Sequence, residues 1–125
     1  MLYYHHGSEH DSLSGQDLKE GFYAALDKLG KRKKMLAVPP DITRFYSRAG
    51  ELTALSQQYY GNAMTDILPA IGTHAPMTEQ EIRRMFGDVP LDLFQNHDWR
   101  GGLITLGQVP SEFVHQVSEG KLDYT

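Results

Sequence analysis

The sequence predicts an α/β domain of Rossmann-like, three-layer type with a largely parallel sheet. Three observations carry this reading. Helix-type and strand-type segments alternate along the chain. The segment Met35-Leu36-Ala37-Val38 is a continuous apolar run bounded by charges and by Pro39-Pro40, the pattern of a parallel strand buried on both faces. Both clear strand-type segments end in polar or glycine-containing loops, where α/β sheets place their ligands.

The elements follow in order. Residues 1–12 are polar and predict no regular element. Ser14 is placed to cap a helix, with Asp17 three positions later where a carboxylate favours the helix dipole. Leu18, Phe22, Ala25, Leu26 and Leu29 recur at helical spacing, and Gly30 is a natural end. The run 35–38 is the first strand. Leu52, Leu55, Tyr59 and Tyr60 predict a helix over 49–60, ended by Gly61-Asn62. Residues 64–71 read as a second strand. Thr78-Glu79-Gln80-Glu81 is a capping box, and Ile82, Met85 and Phe86 supply the apolar face of the helix that Gly87 closes. Short strands are expected at 91–94 and 103–107, with a further one at 113–118 from its alternating pattern. Right-handed crossovers put the loops 39–44 and 72–76 on one sheet edge.

Composition narrows the function. The 125 residues are 40% apolar and 22% charged, as in a globular domain. Twelve basic and 16 acidic residues give a net charge of −4, which speaks against a broad nucleic-acid face. The chain has no cysteine, hence no disulfide, thiolate nucleophile or thiolate metal ligand. No apolar run is long enough to span a bilayer, and the start does not resemble a secretory signal. A cytoplasmic location is the expectation.

Three clusters carry chemistry. Asp41-Ile42-Thr43-Arg44 sets a carboxylate, a hydroxyl and a guanidinium at a strand end. Arg44 is suited to a carboxylate or phosphate, while Asp41 holds Arg44 or a ligand hydroxyl. The same residues also fit a plain capping turn. In Gly72-Thr73-His74, glycine permits close approach of backbone to a ligand and histidine exchanges a proton near neutral pH. A loop histidine bonded to its own backbone is the alternative. Asn96-His97-Asp98-Trp99 offers a polar His97–Asp98 pair or a turn with Trp99 plugging the core. His5, His6 and His10 match no zinc spacing and read as an exposed start. Phosphate-loop, dinucleotide and serine-elbow motifs are absent.

Taken together, these clusters resemble the nickel-pincer lactate racemase family. Asp41-Ile42-Thr43-Arg44 is similar to its Asp-x-Thr-Arg loop. Ile71-Gly72-Thr73-His74-Ala75-Pro76-Met77-Thr78 is similar to its Thr-Gly-x-His-Arg-Pro-x-Thr segment, and Asn96-His97-Asp98 to its Asn-His-Asp segment. The order and spacing agree over about 13–108. The resemblance implies racemization or epimerization of a 2-hydroxy acid by hydride transfer to a nickel-pincer nucleotide. It implies His74 as the catalytic base, Arg44 and Asp41 as substrate-binding residues, and Thr43, Gly72 and Thr73 around the cofactor. Phe45, Ala75 and Ile71 depart from the family pattern, which points to a substrate other than lactate. The family's chains are several-fold longer. Residues 13–125 therefore correspond to the N-terminal portion of the catalytic domain. The attachment lysine, the nickel-binding histidine and a second catalytic histidine are expected from the remainder, and no residue here is a metal ligand. The alternative function is a non-catalytic module that binds a small carboxylate or a nucleotide.

Overall fold

The structure, a computed structural model, describes residues 1–124; Thr125, the last residue of the unit expected over 13–125, lies outside them. Its elements are helix α1 (Gly15–Leu29), strand β1 (Met35–Ala37), helix α2 (Ala49–Tyr60), strand β2 (Met64–Ile67), helix α3 (Glu79–Phe86) and helix α4 (Ser111–Val117). Short 3-10 turns cover Ile42–Ser47, Gly61–Ala63 and Leu91–Leu93. This is a mixed α/β architecture.

Local sequence sets the helix ends. The Ser14 hydroxyl accepts the Asp17 amide, and the Asp17 carboxylate accepts the Ser14 amide at 2.8 Å. Thr78 and Glu81 form the same reciprocal pair at the start of α3. Two orphan helix amides are satisfied in each case. At α2 the cap is a left-handed Arg48 (φ 62°) without a side-chain cap bond. Its guanidinium instead grips both oxygens of Glu51, at 2.8 and 3.0 Å.

β1 and β2 pair in parallel, with Met35 opposite Met64 and Ala37 opposite Ile67. The pairing continues weakly past both strands. The Leu68 amide donates to the Ala37 carbonyl at 2.8 Å, and Ala70 donates to Pro39 at 2.7 Å. Pro39, Pro40 and Pro69 have no N–H to return, so β2 stops at Ile67 rather than running to residue 71. On its other side, Ile67 forms an isolated parallel bridge with Phe94.

The core lies between β2 and α3. Met64, Ile67, Met85, Phe86 and Val89 are buried there, and the Phe86 and Phe94 rings meet at 5.0 Å. α2 crosses α3 closely at Gly50. A Cβ there would stand 2.1 Å from the Met85 carbonyl oxygen, so only glycine allows this approach. α1 packs on α2 through an edge-on Tyr23–Tyr59 contact of 5.1 Å.

Several expected elements differ. Residues 91–94 form a 3-10 turn and a single bridge rather than a strand. The direction of pairing is as expected, but Pro90 supplies the carbonyl for a turn at Leu93. Residues 103–107 form no strand: 101–110 is exposed throughout, so no partner fixes an extended pairing. Residues 113–118 lie mostly in α4, which starts after Pro110; proline suits a helix start, and the alternating pattern was too short to fix a period. The 35–38 run is not buried on both faces, because Leu36 and Val38 are 54% and 57% exposed.

Candidate functional site

The loop after β1 and the loop after β2 meet. Pairing of Pro40 with Ala70 holds the two segments side by side, directly before Asp41 and four residues before His74. Asp41 is 5% exposed and starts the Ile42–Ser47 turn as its cap. One carboxylate oxygen, Oδ1, accepts the Thr43 amide at 3.1 Å and the Thr43 hydroxyl. The other, Oδ2, lies 2.6 Å from His74 Nδ1. The capping turn and the polar constellation are therefore one structure.

Burial pushes the Asp41 carboxyl up. The Thr43 hydroxyl, the His74 imidazole and the Thr43 amide together outweigh this and hold it below its ordinary range. An ionised carboxylate only accepts hydrogen bonds, so His74 Nδ1 must carry the proton it donates. That fixes the tautomer: in the neutral ring, Nε2 is the basic nitrogen. Its side chain is 58% exposed, and Nε2 has no hydrogen-bond partner among the described residues.

His74 lines a cavity of about 470 Å³ together with Thr73, Asn96, His97, Trp99 and Arg100 among others. Gly72, at φ +59°, turns the chain into this loop in a left-handed conformation that glycine adopts without strain. No Cβ neighbour lies within 4 Å of it. The His74 amide donates to the Ile71 carbonyl at 3.0 Å, while among the described residues the Gly72 and Thr73 amides have no acceptor.

Arg44 is exposed. Its amide closes the turn onto the Asp41 carbonyl at 3.0 Å, and its guanidinium neither pairs with Asp41 nor lines the His74 cavity. Asp41 holds His74 instead. Asp98 is not paired with His97 either; Oδ1 accepts the Arg100 and Gly101 amides at 3.3 and 2.9 Å. Trp99 is half-buried at the cavity rather than set in the core. His5, His6 and His10 are exposed. Sequence reasoning missed Arg100, whose guanidinium lies 4.4 Å from the Trp99 ring centroid. Its adjacency to Asn96-His97-Asp98-Trp99 was the available signal.

As for a cofactor, the donor set suits the anionic and hydroxyl groups of a nucleotide: two unpartnered loop amides, the Thr73 hydroxyl and a guanidinium. Among the described residues no group of three or more His, Cys, Asp or Glu converges. Among the same residues, no helix is long and apolar enough to cross a membrane.

No family model matches the sequence, and no curated protein does. A crystal structure of a protein from Thermotoga maritima, solved as a structural genomics target, is similar. It is 28% identical, with a TM-score of 0.65, over 94% of this chain and 30% of that one. The chain thus spans about 30% of the length of that protein.

Proposed function

We propose that this chain is the N-terminal portion of an enzyme that racemizes or epimerizes a 2-hydroxy acid, with His74 as the base. The reading rests on one observation above the others: the buried Asp41 carboxylate, 2.6 Å from Nδ1, presents the opposite imidazole nitrogen of His74 at a cavity.

His74 Nε2 takes the proton of the substrate hydroxyl as the C2 hydrogen departs with its electron pair. The substrate becomes a planar 2-keto acid. Return of the proton from Nε2 and of the hydride to either face gives either enantiomer. The hydride acceptor is the chemistry that a nickel-pincer nucleotide supplies when bound. Asp41 positions the ring and stabilises the imidazolium that forms, without itself taking the proton. Thr43 holds Asp41 ionised. The Gly72 and Thr73 amides are suited to anionic oxygens of the nucleotide. By the resemblance, Arg44 binds the substrate carboxylate, which requires its side chain to swing from solvent toward His74. Metal ligation falls to sequence beyond this chain.

The finer architecture belongs to the same proposal. Parallel sheets are covered on both faces in α/β proteins. The open face bearing Leu36 and Val38 fits a three-layer, Rossmann-like sheet completed by the remainder of the protein. A cytoplasmic location is part of this reading.

The test is enantiomer exchange by full-length protein carrying the cofactor, with a panel of 2-hydroxy acids followed by chiral chromatography. Exchange by wild type and none by His74→Ala is expected. Retained exchange in His74→Ala would remove His74 from the reaction, and no exchange of any hydroxy acid by wild type would overturn the activity.

A further inference from the structure

The His74 cavity has a second wall, formed by residues 96–100, and the function above leaves its cation unused. Arg100 sits over the only indole of the chain, with its guanidinium carbon 4.4 Å from the Trp99 ring centroid. Such stacking attracts a cation to the ring face and narrows the range of positions a long side chain samples. It leaves the guanidinium edge, with its N–H donors, free to grip an oxyanion.

The nearest acid in sequence does not neutralise Arg100. Asp98 turns one oxygen, Oδ1, onto the backbone amides of Arg100 and Gly101. Its other oxygen crowds Gly101, where an added Cβ would stand 2.8 Å from Oδ2. Among the described residues, no carboxylate lies within ion-pair distance of the Arg100 guanidinium. The remaining polar lining consists of Asp98 itself and of Thr73, His74, Asn96 and His97, the last four able to donate hydrogen bonds. Among the described residues, the cavity is therefore lined by one unpaired cation, several donors, the Asp98 carboxylate with Oδ1 turned onto its own loop amides, and the proton-accepting Nε2 of His74. This chemistry recognises a molecule with an oxyanion at one end and a hydroxyl at the other.

We propose that Arg100, steadied on Trp99, binds an oxyanion in the His74 cavity: the carboxylate of the hydroxy acid or the phosphate of the nucleotide. The assignment rests on the proposed function only in taking the ligand at His74 to be one of these two. Arg100 thus anchors a ligand in a cavity that Arg44 does not line.

Binding of two probes, sodium lactate and inorganic phosphate, tests it, by calorimetry and by the emission of Trp99. Arg100→Gln is expected to weaken one or both by at least about tenfold, the loss of a charge-assisted bond. It should also abolish the change in Trp99 emission. Loss for lactate identifies the substrate carboxylate; loss for phosphate identifies the nucleotide. Arg100→Lys should recover part of the binding, having the charge without the fork, and Arg32→Gln, outside the cavity, should bind as wild type. The assignment is overturned if Arg100→Gln binds both probes as wild type does, if wild type binds neither, or if Arg44→Gln alone carries the loss. Turnover separates the two proposals. Exchange that survives His74→Ala removes His74 as the base, and no exchange by wild type sinks the activity; either leaves the anion site standing. Exchange that needs His74, with both the hydroxy-acid KM and phosphate binding unchanged in Arg100→Gln, sinks the anion site alone.

Discussion

Asp41 illustrates how one side chain serves fold and chemistry together. Its Oδ1 caps the turn after β1 through Thr43, and its Oδ2 orients His74. Asp41→Asn keeps the shape but removes the charge that fixes the His74 tautomer. In the full-length protein we expect kcat to fall by about 10²–10⁴-fold, with an altered pH–rate profile that a purely structural loss would not produce. Stability carries a second signature. Because the folded-state carboxyl lies below its ordinary 3.8, the stability it adds is fully present above that value. It is lost as the pH falls through the lower folded value. The difference in melting temperature between wild type and Asp41→Asn should therefore shrink below about pH 4. A difference that stays constant from neutral pH down through that window would show that the Asp41 charge does not stabilise the fold.

Helix boundaries are set within a few residues of chain, and their energetics are correspondingly local. Thr78→Ala removes the hydroxyl that accepts the Glu81 amide and should cost about 1 kcal/mol. Glu81 is itself held below its ordinary range by the Thr78 amide and hydroxyl, so this contribution also fades in acid. The α2–α3 crossing is less forgiving. Gly50→Ala would force a methyl to 2.1 Å from the Met85 carbonyl oxygen. Backbone cannot give way as a flexible side chain does, so a loss of about 3 kcal/mol is expected. Urea melts of the two variants should rank them in that order; a neutral Gly50→Ala would mean the helices are not packed this closely.

Across the whole molecule, one residue ties the layers together. Ile67 is 0% exposed, pairs with Ala37 on one side and bridges Phe94 on the other. Ile67→Ala should cost about 2–5 kcal/mol, read from chemical denaturation. The periphery is thin by contrast. Leu36 and Val38 lie open on the sheet, and Leu103, Ile104, Leu106 and Phe113 lie open beyond it. Exposed apolar surface of this kind marks an interaction face. The 125-residue chain alone is expected to self-associate as its concentration rises, in sedimentation velocity. A monomer at high concentration would contradict the idea of a face awaiting cover.

Local chemistry made much of this protein legible without a structure. The caps at Ser14 and Thr78, the helix over 49–60 and the polar loops at 41–44 and 72–74 depend on neighbours a few residues away, and short-range hydrogen bonding follows sequence directly. The segments 91–94, 103–107 and 113–118 were misread because strands need partners, and a partner is a matter of long-range packing. The same distinction runs through the site. The residue types and their spacing marked Asp41, Thr43 and His74 as chemically apt. Only the tertiary structure decided that Asp41 grips His74 rather than Arg44, because the meeting of residues 33 positions apart is settled by strand pairing, not by the chain between them.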